Sequence, residues 1–222
     1  SGLEMAEMAA MSTGIVTTTS ITHATPAASY AHTPERTWEN DSDVPVAAVA
    51  AGCRDIARQF VDFNFGDGIE VVLGGGRLHF TPTDTIDPEY RESLGARQDK
   101  RDLIGEWKTK NPGSQYVWNK AQLDALDLKK TRHLLGLFEP EHMNYAADRQ
   151  NDGAGEPSLP EMTAKAITVL QNNKNGFFLI VEGGRIDQAH HAGNAYRALT
   201  ETVEFSDAVR TAMQMTSERD TL

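Results

Sequence analysis

The sequence predicts an α/β fold organised around a mainly parallel central sheet, and two observations carry that prediction. Residues 14–19, 69–73 and 177–181 are short apolar runs rich in β-branched or aromatic side chains. They lack the polar alternation of a half-exposed strand, so they read as strands covered on both faces. A helical pattern precedes each of them, which is the alternation that a parallel sheet with crossover helices requires.

Taken in order, residues 3–11 are rich in Ala and Met, and residues 46–63 carry apolar side chains at helical spacing. Met162, Ala166, Val169 and Leu170 form the stripe of a packed helix. Ser158-Leu159-Pro160-Glu161 marks its start, because the serine hydroxyl and the glutamate carboxylate can satisfy the first free backbone donors. A longer helix is expected from Asp187 to about residue 213, with Ala192, Ala195, Leu199, Val203 and Val209 towards the core. Between about residues 81 and 132 the pattern weakens into Pro-, Asp- and Lys-containing segments with short helices at 100–108 and 121–126. That stretch reads as a crown or insertion on the sheet, within a single domain spanning residues 1–222.

Composition narrows the function. A hydrophobic share of 39% and a charged share of 24% make an ordinary globular chain. The formal net charge of -11 argues against nucleic acid or an anionic membrane as partner, since phosphate backbones are bound through surplus Lys and Arg. An anionic substrate would need metal ions to supply local positive charge. No apolar stretch reaches the roughly 18 residues of a membrane helix, and Ser1-Gly2-Leu3-Glu4 has no signal-like character. Cys53 stands alone, which excludes an internal disulfide and a cysteine zinc cluster; its surroundings read as a helix interior and Cys53 as a small buried hydrophobe.

Metal-ligating residue types gather where strands end. Val181-Glu182-Gly183-Gly184 takes a carboxylate off a strand and turns the backbone, and Asp187 and His191 follow at i,i+4 spacing on one helix face. His23 and Thr25 lie just beyond the first strand, at the sheet end where open α/β folds collect ligands. Imidazole, hydroxyl and carboxylate together suit a hard cation. Taken alone, Asp187 and His191 are equally a capping aspartate beside a solvated histidine, and His23 a loop residue.

Read together, six blocks resemble the metal-dependent alkaline phosphatases, particularly the animal-type branch. They are residues 14–19, His23-Ala24-Thr25-Pro26, Tyr30-Ala31-His32, Gly74-Gly75-Gly76-Arg77, Leu135-Gly136-Leu137-Phe138-Glu139-Pro140 and the run from Val181 to Asp187 with His190-His191. The resemblance implies a three-layer sandwich, phosphate-monoester hydrolysis through a phosphoserine, zinc, magnesium and calcium as cofactors, and a homodimer. It implies an extracellular, periplasmic or cell-surface parent. By that resemblance His23, Thr25 and Glu182 match magnesium ligands, and Asp187 and His191 match two ligands of a zinc. Arg36 matches the arginine that grips the substrate phosphate, a role suited to a planar two-pronged donor. Glu89, the Phe138 carbonyl, Glu139 and Glu156 match an oxygen-only calcium site.

The resemblance also implies what to expect elsewhere. The family's nucleophilic serine and bridging aspartate would lie upstream of residue 1, and further zinc ligands beyond Leu222, leaving the sheet incomplete at both ends. Cys53 would then be a free thiol. Two alternatives follow: a non-catalytic metal-binding or interaction fragment, and a phosphodiesterase or sulfatase relative.

Overall fold

The computed structural model describes residues 1–222. In chain order the elements are α1 (Gly2–Met8), β1 (Ser12–Ser20), α2 (Ala24–Tyr30), α3 (Val46–Ala50), α4 (Ile56–Asp62) and β2 (Val71–Gly75). There follow α5 (Leu103–Lys110), β3 (Gln115–Val117), α6 (Lys120–Asp124), β4 (Leu134–Leu137), α7 (Leu159–Leu170), β5 (Phe177–Glu182), α8 (Arg185–His191) and α9 (Ala195–Met215). The strands form one sheet of order β3-β4-β2-β1-β5, and every pairing is parallel.

Alternation along the strands builds three layers. Ile15, Val72, Leu135 and Leu137 enter a core with Leu3, Tyr30, Ile56, Phe60, Leu103 and Trp107, from the helices on one face. Val16, Val71, Leu73 and Leu134 enter the opposite core, with Leu123, Leu159, Met162, Ala166 and Leu170. Successive side chains of a strand point to opposite faces, so a strand covered on both must be apolar throughout. The start of α7 is as expected: Glu161 N donates to Ser158 Oγ at 3.3 Å and Ser158 N donates to Glu161 Oε2 at 2.8 Å.

Several elements differ from the sequence reading. The expected helix over 46–63 is two helices, α3 and α4, broken where Gly52 takes a φ of +92°. Cys53 therefore sits half-buried just after a turn as a free thiol, outside any helix. The helix after Asp187 is likewise divided, because Gly193 has a φ of +63° and Asn194 caps a new start by accepting from Arg197 N. Ala192, Ala195, Leu199, Val203 and Val209 are exposed, while Ala198, Glu201 and Ala208 face inward. Strands β3 and β4 are additional; β4 has only four residues, and a Cβ at Gly136 would lie 2.7 Å from the Leu73 side chain. Within residues 81–132, β3 joins the sheet edge, and Leu103, Trp107, Val117 and Leu123 are buried in the two cores.

Candidate metal centres

The carboxyl ends of β1 and β5 place the first group of ligands. Thr17 pairs with Glu182 in the β1–β5 register, and the Thr17 hydroxyl donates to Glu182 Oε2 at 2.6 Å. That bond fixes the carboxylate at the sheet end. His23 is the cap residue of α2, and its Nδ1 is buried without a hydrogen-bond partner. Its Nε2 lies 3.0 Å from Arg36 Nη2. A guanidinium only donates, so this contact assigns the Nε2 lone pair as acceptor and the proton to Nδ1. Thr25 and Arg36 are exposed. Beside them His142 accepts from Ser20 N through Nδ1 at 2.9 Å and meets the His23 ring edge-on at 5.2 Å between centroids. Burial, then the neighbouring His23, pushes His142 down to about 4, so it is neutral.

A second group forms around β4. Arg77, 1% exposed, donates through Nε and Nη2 to Asp87 at 2.7 and 2.8 Å and through Nη1 to the Leu137 carbonyl at 2.7 Å. Asp87 Oδ1 in turn accepts from Glu89 N at 2.9 Å and Tyr90 N at 3.1 Å. One buried arginine thus ties the end of β4 to the loop that carries Glu89. Glu139 is placed from the other side, its carbonyl accepting from Gly76 N and Arg77 N. A glycine is required at 75, where a Cβ would lie 2.0 Å from the Glu141 carbonyl oxygen.

The result is an acidic cage with Glu139 buried and Glu89 and Asp152 half-buried. Ligand oxygens of Glu89, Glu139 and Asp152 lie within 4.8 Å of one another. Burial, then the charges of Glu156 and Asp152, pushes Glu139 up to about 8. Burial pushes Glu89 to about 8 and Glu156 to about 7. Carboxylates crowded away from water favour either protons or a cation. The oxygen-only donor set and the orphaned, buried Asp152 Oδ2 fit calcium.

Of the residues singled out from sequence, Glu89 and Glu139 come together, and Glu156 stands against them, with Oε2 accepting from Asn144 N at 3.0 Å and Oε1 from Arg149 Nε at 3.3 Å. His23 and Arg36 touch. Asp187 and His191 share one face of α8, Oδ2 to Nε2 3.4 Å, with side chains 74% and 80% exposed. Arg77, Asp87, His142, Arg149 and Asp152 were not anticipated as site residues. The Asn151-Asp152-Gly153 turn was the available signal for Asp152. A cavity of about 430 Å³ lined by Glu4, His32, Trp38, Cys53 and Phe65 carries none of the ligand residues.

Fold and site together define an α/β scaffold whose parallel strands end in candidate ligands for divalent cations. The profile described as "Alkaline phosphatase" matches residues 1–222, and the chain belongs to the alkaline phosphatase family. It is 51% identical over 215 residues to the tissue-nonspecific isozyme of Gallus gallus, covering 94% of this chain and 41% of that protein. Against the isozyme of Rattus norvegicus it is 47% identical, covering 99% and 42%. The chain thus spans about two-fifths of the length of these relatives. Among solved structures, the Thermus thermophilus alkaline phosphatase superposes with a TM-score of 0.72 at 33% identity, over 97% of this chain and 38% of that one. A mutant enzyme from the Antarctic bacterium TAB5, His 135 Glu, has magnesium bound in its M3 site; it superposes with a TM-score of 0.67 at 27% identity over 96% of this chain and 50% of that one.

Proposed function

We propose that this chain forms the metal- and phosphate-binding core of a phosphate-monoester hydrolase that acts through a phosphoserine. The contact of Arg36 Nη2 with His23 Nε2 carries the reading. It puts the anion-gripping fork against the imidazole at the sheet end, where a metal held by His23 would take the Nε2 lone pair in place of the guanidinium. In this reading His23, Thr25 and Glu182 hold magnesium, Asp187 and His191 hold zinc with ligands from elsewhere in the protein, and Glu89, Glu139, the Phe138 carbonyl and the 152–156 loop hold calcium. When bound, the ions supply Lewis acidity and offset the charge of the phosphate.

The chain's own groups do the positioning. Arg36 can donate two parallel bonds to non-bridging phosphate oxygens. Thr17 and Thr19 orient Glu182 through their hydroxyls. The net charge of -11 leaves this arginine and the cations as the local attraction for an anion. The same reading carries a homodimer, an extracellular, periplasmic or cell-surface setting, and residues 81–132 as an insertion on one domain. A second reading, a metal-binding segment without turnover of its own, is favoured by one observation: Asp187 and His191 offer two ligands where zinc takes about four.

Hydrolysis of p-nitrophenyl phosphate by the full protein, with zinc and magnesium, tests the first reading. R36A is expected to raise KM about 10- to 100-fold, the value of one lost charge-assisted bond pair. Unchanged kinetics would remove Arg36 from the site, and no phosphate release under any metal supply would leave the second reading.

A further inference from the structure

His79, 6% exposed, is a buried imidazole between two segments that lead to site residues. It stands on the turn Arg77–Phe80 after β2, a rigid base, because Arg77 N donates to the Glu139 carbonyl at 3.0 Å and Leu78 N to the Pro140 carbonyl at 3.1 Å. Its neighbour assigns its tautomer. Asn40 Oδ1 accepts from Ser42 N at 2.9 Å, which leaves the amide nitrogen Nδ2 as the group that meets His79 Nδ1 at 3.0 Å. An amide nitrogen only donates, so the ring proton sits on Nε2. That proton faces two carboxylates, Glu39 Oε2 at 3.3 Å and Glu141 Oε2 at 3.6 Å, and is buried without a hydrogen bond to either. Glu39 links the imidazole to the site. Its Oε2 also accepts from the hydroxyl of Thr22, the residue before His23, at 2.5 Å. Its backbone closes the turn that carries Arg36, since Glu39 N donates to the Thr37 carbonyl at 2.9 Å and Trp38 N to the Glu35 carbonyl at 3.4 Å.

We propose that His79 is a positioning residue for the anion site: through Glu39 it holds the Arg36 turn and the Thr22-His23 segment in one arrangement. The inference rests on the reading of Arg36 as the phosphate-gripping residue. A buried donor is costly unless an acceptor offsets it, so the ring sits comfortably only while Glu39 stays close. Glu141, with a side chain 64% exposed, can turn to water and offers the weaker hold. Arg36 is itself exposed, and its side-chain hydrogen bond runs to His23. Its place is therefore set by the turn beneath it, and that turn is fastened at Glu39.

Calorimetric titration of the full protein, loaded with zinc and magnesium, with inorganic phosphate, beside p-nitrophenyl phosphate kinetics, tests the tie. H79A and E39A should each weaken phosphate binding and raise KM about 3- to 10-fold, the size of one polar tie, with kcat nearly unchanged. H79Q, whose amide reaches the Nε2 position, should recover most of that loss; H79N, which is shorter, should not. In an R36A background H79A should shift KM less than about 2-fold, because its effect runs through the arginine. A structural role alone would lower the melting temperature of H79A and leave KM where it was, and that result overturns the proposal. So does wild-type phosphate affinity in E39A, which decides the matter even where H79A does not fold, and so does an H79A effect undiminished in the R36A background. Wild-type phosphate affinity in R36A itself would instead sink the reading of Arg36.

Discussion

The two flanks of the sheet are alike in sequence and unlike in setting. β2 and β4 are buried at every residue, whereas none of the six residues of the equally apolar β5 is fully buried. The candidate ligands follow the same division. Beyond β4, Glu139 is 5% exposed, with Glu89 and Asp152 beside it and the Glu89 loop tied down by an arginine that is itself out of water. Beyond β5, Asp187 and His191 project from α8 into solvent. An apolar run thus reports that a strand forms, and the layers around it decide whether charge beside it is costly.

That contrast can be broken most forcefully at Arg77. Replacing it by alanine strands Asp87 and releases both the Glu89 loop and the Leu137 carbonyl, and loss of one partner of a buried pair costs about 3–5 kcal/mol. Urea unfolding of R77A should show a loss of that size; a change below about 1 kcal/mol would mean that the cage holds without its arginine.

A smaller effect is expected at the amino end of the covered flank. Burial pushes Glu7 up to about 7 against the bond from the Thr13 hydroxyl, and burial does the same to Glu70. A raised carboxyl binds its proton more tightly in the folded state than in the unfolded chain. Its stabilisation is complete below the ordinary value of 4.5 and is lost as pH rises through about 7. Relative to wild type, E7Q should therefore gain about 1–2 kcal/mol between about pH 5 and pH 8. Parallel stability curves for the two proteins would refute this.

The open flank should be nearly silent. In metal-free protein H191A removes one half of an exposed pair, and chemical denaturation of this chain in chelator should place it within about 0.5 kcal/mol of wild type. A larger loss would mean that α8 is not the solvent-facing element described here.

Much of this was legible in the sequence. The strand runs at β1 and β2 declare themselves because burial on both faces favours continuous apolar or β-branched residues, β5 by the same composition although its faces are open, and the α7 start because its cap is local chemistry. β3 and β4 did not, since three or four residues carry no period. The helix breaks at Gly52 and Gly193 outweighed the apolar spacing around them. His23, Glu139 and Glu89 were singled out by resemblance, whereas Asp152 and Arg149, which the structure sets beside the same carboxylates, were not, because their places depend on which loop returns to which helix. That is a tertiary fact.

The β1–β5 pairing has a further consequence for how the chain is made. Ser12 is matched with Phe177, so a ribosome finishes β1, β2 and β4 well before the partner of β1 emerges. Until then one side of β1 presents unmatched backbone amides and carbonyls in an apolar setting. Nascent chains of this topology close late and spend their waiting time in the form most prone to aggregate.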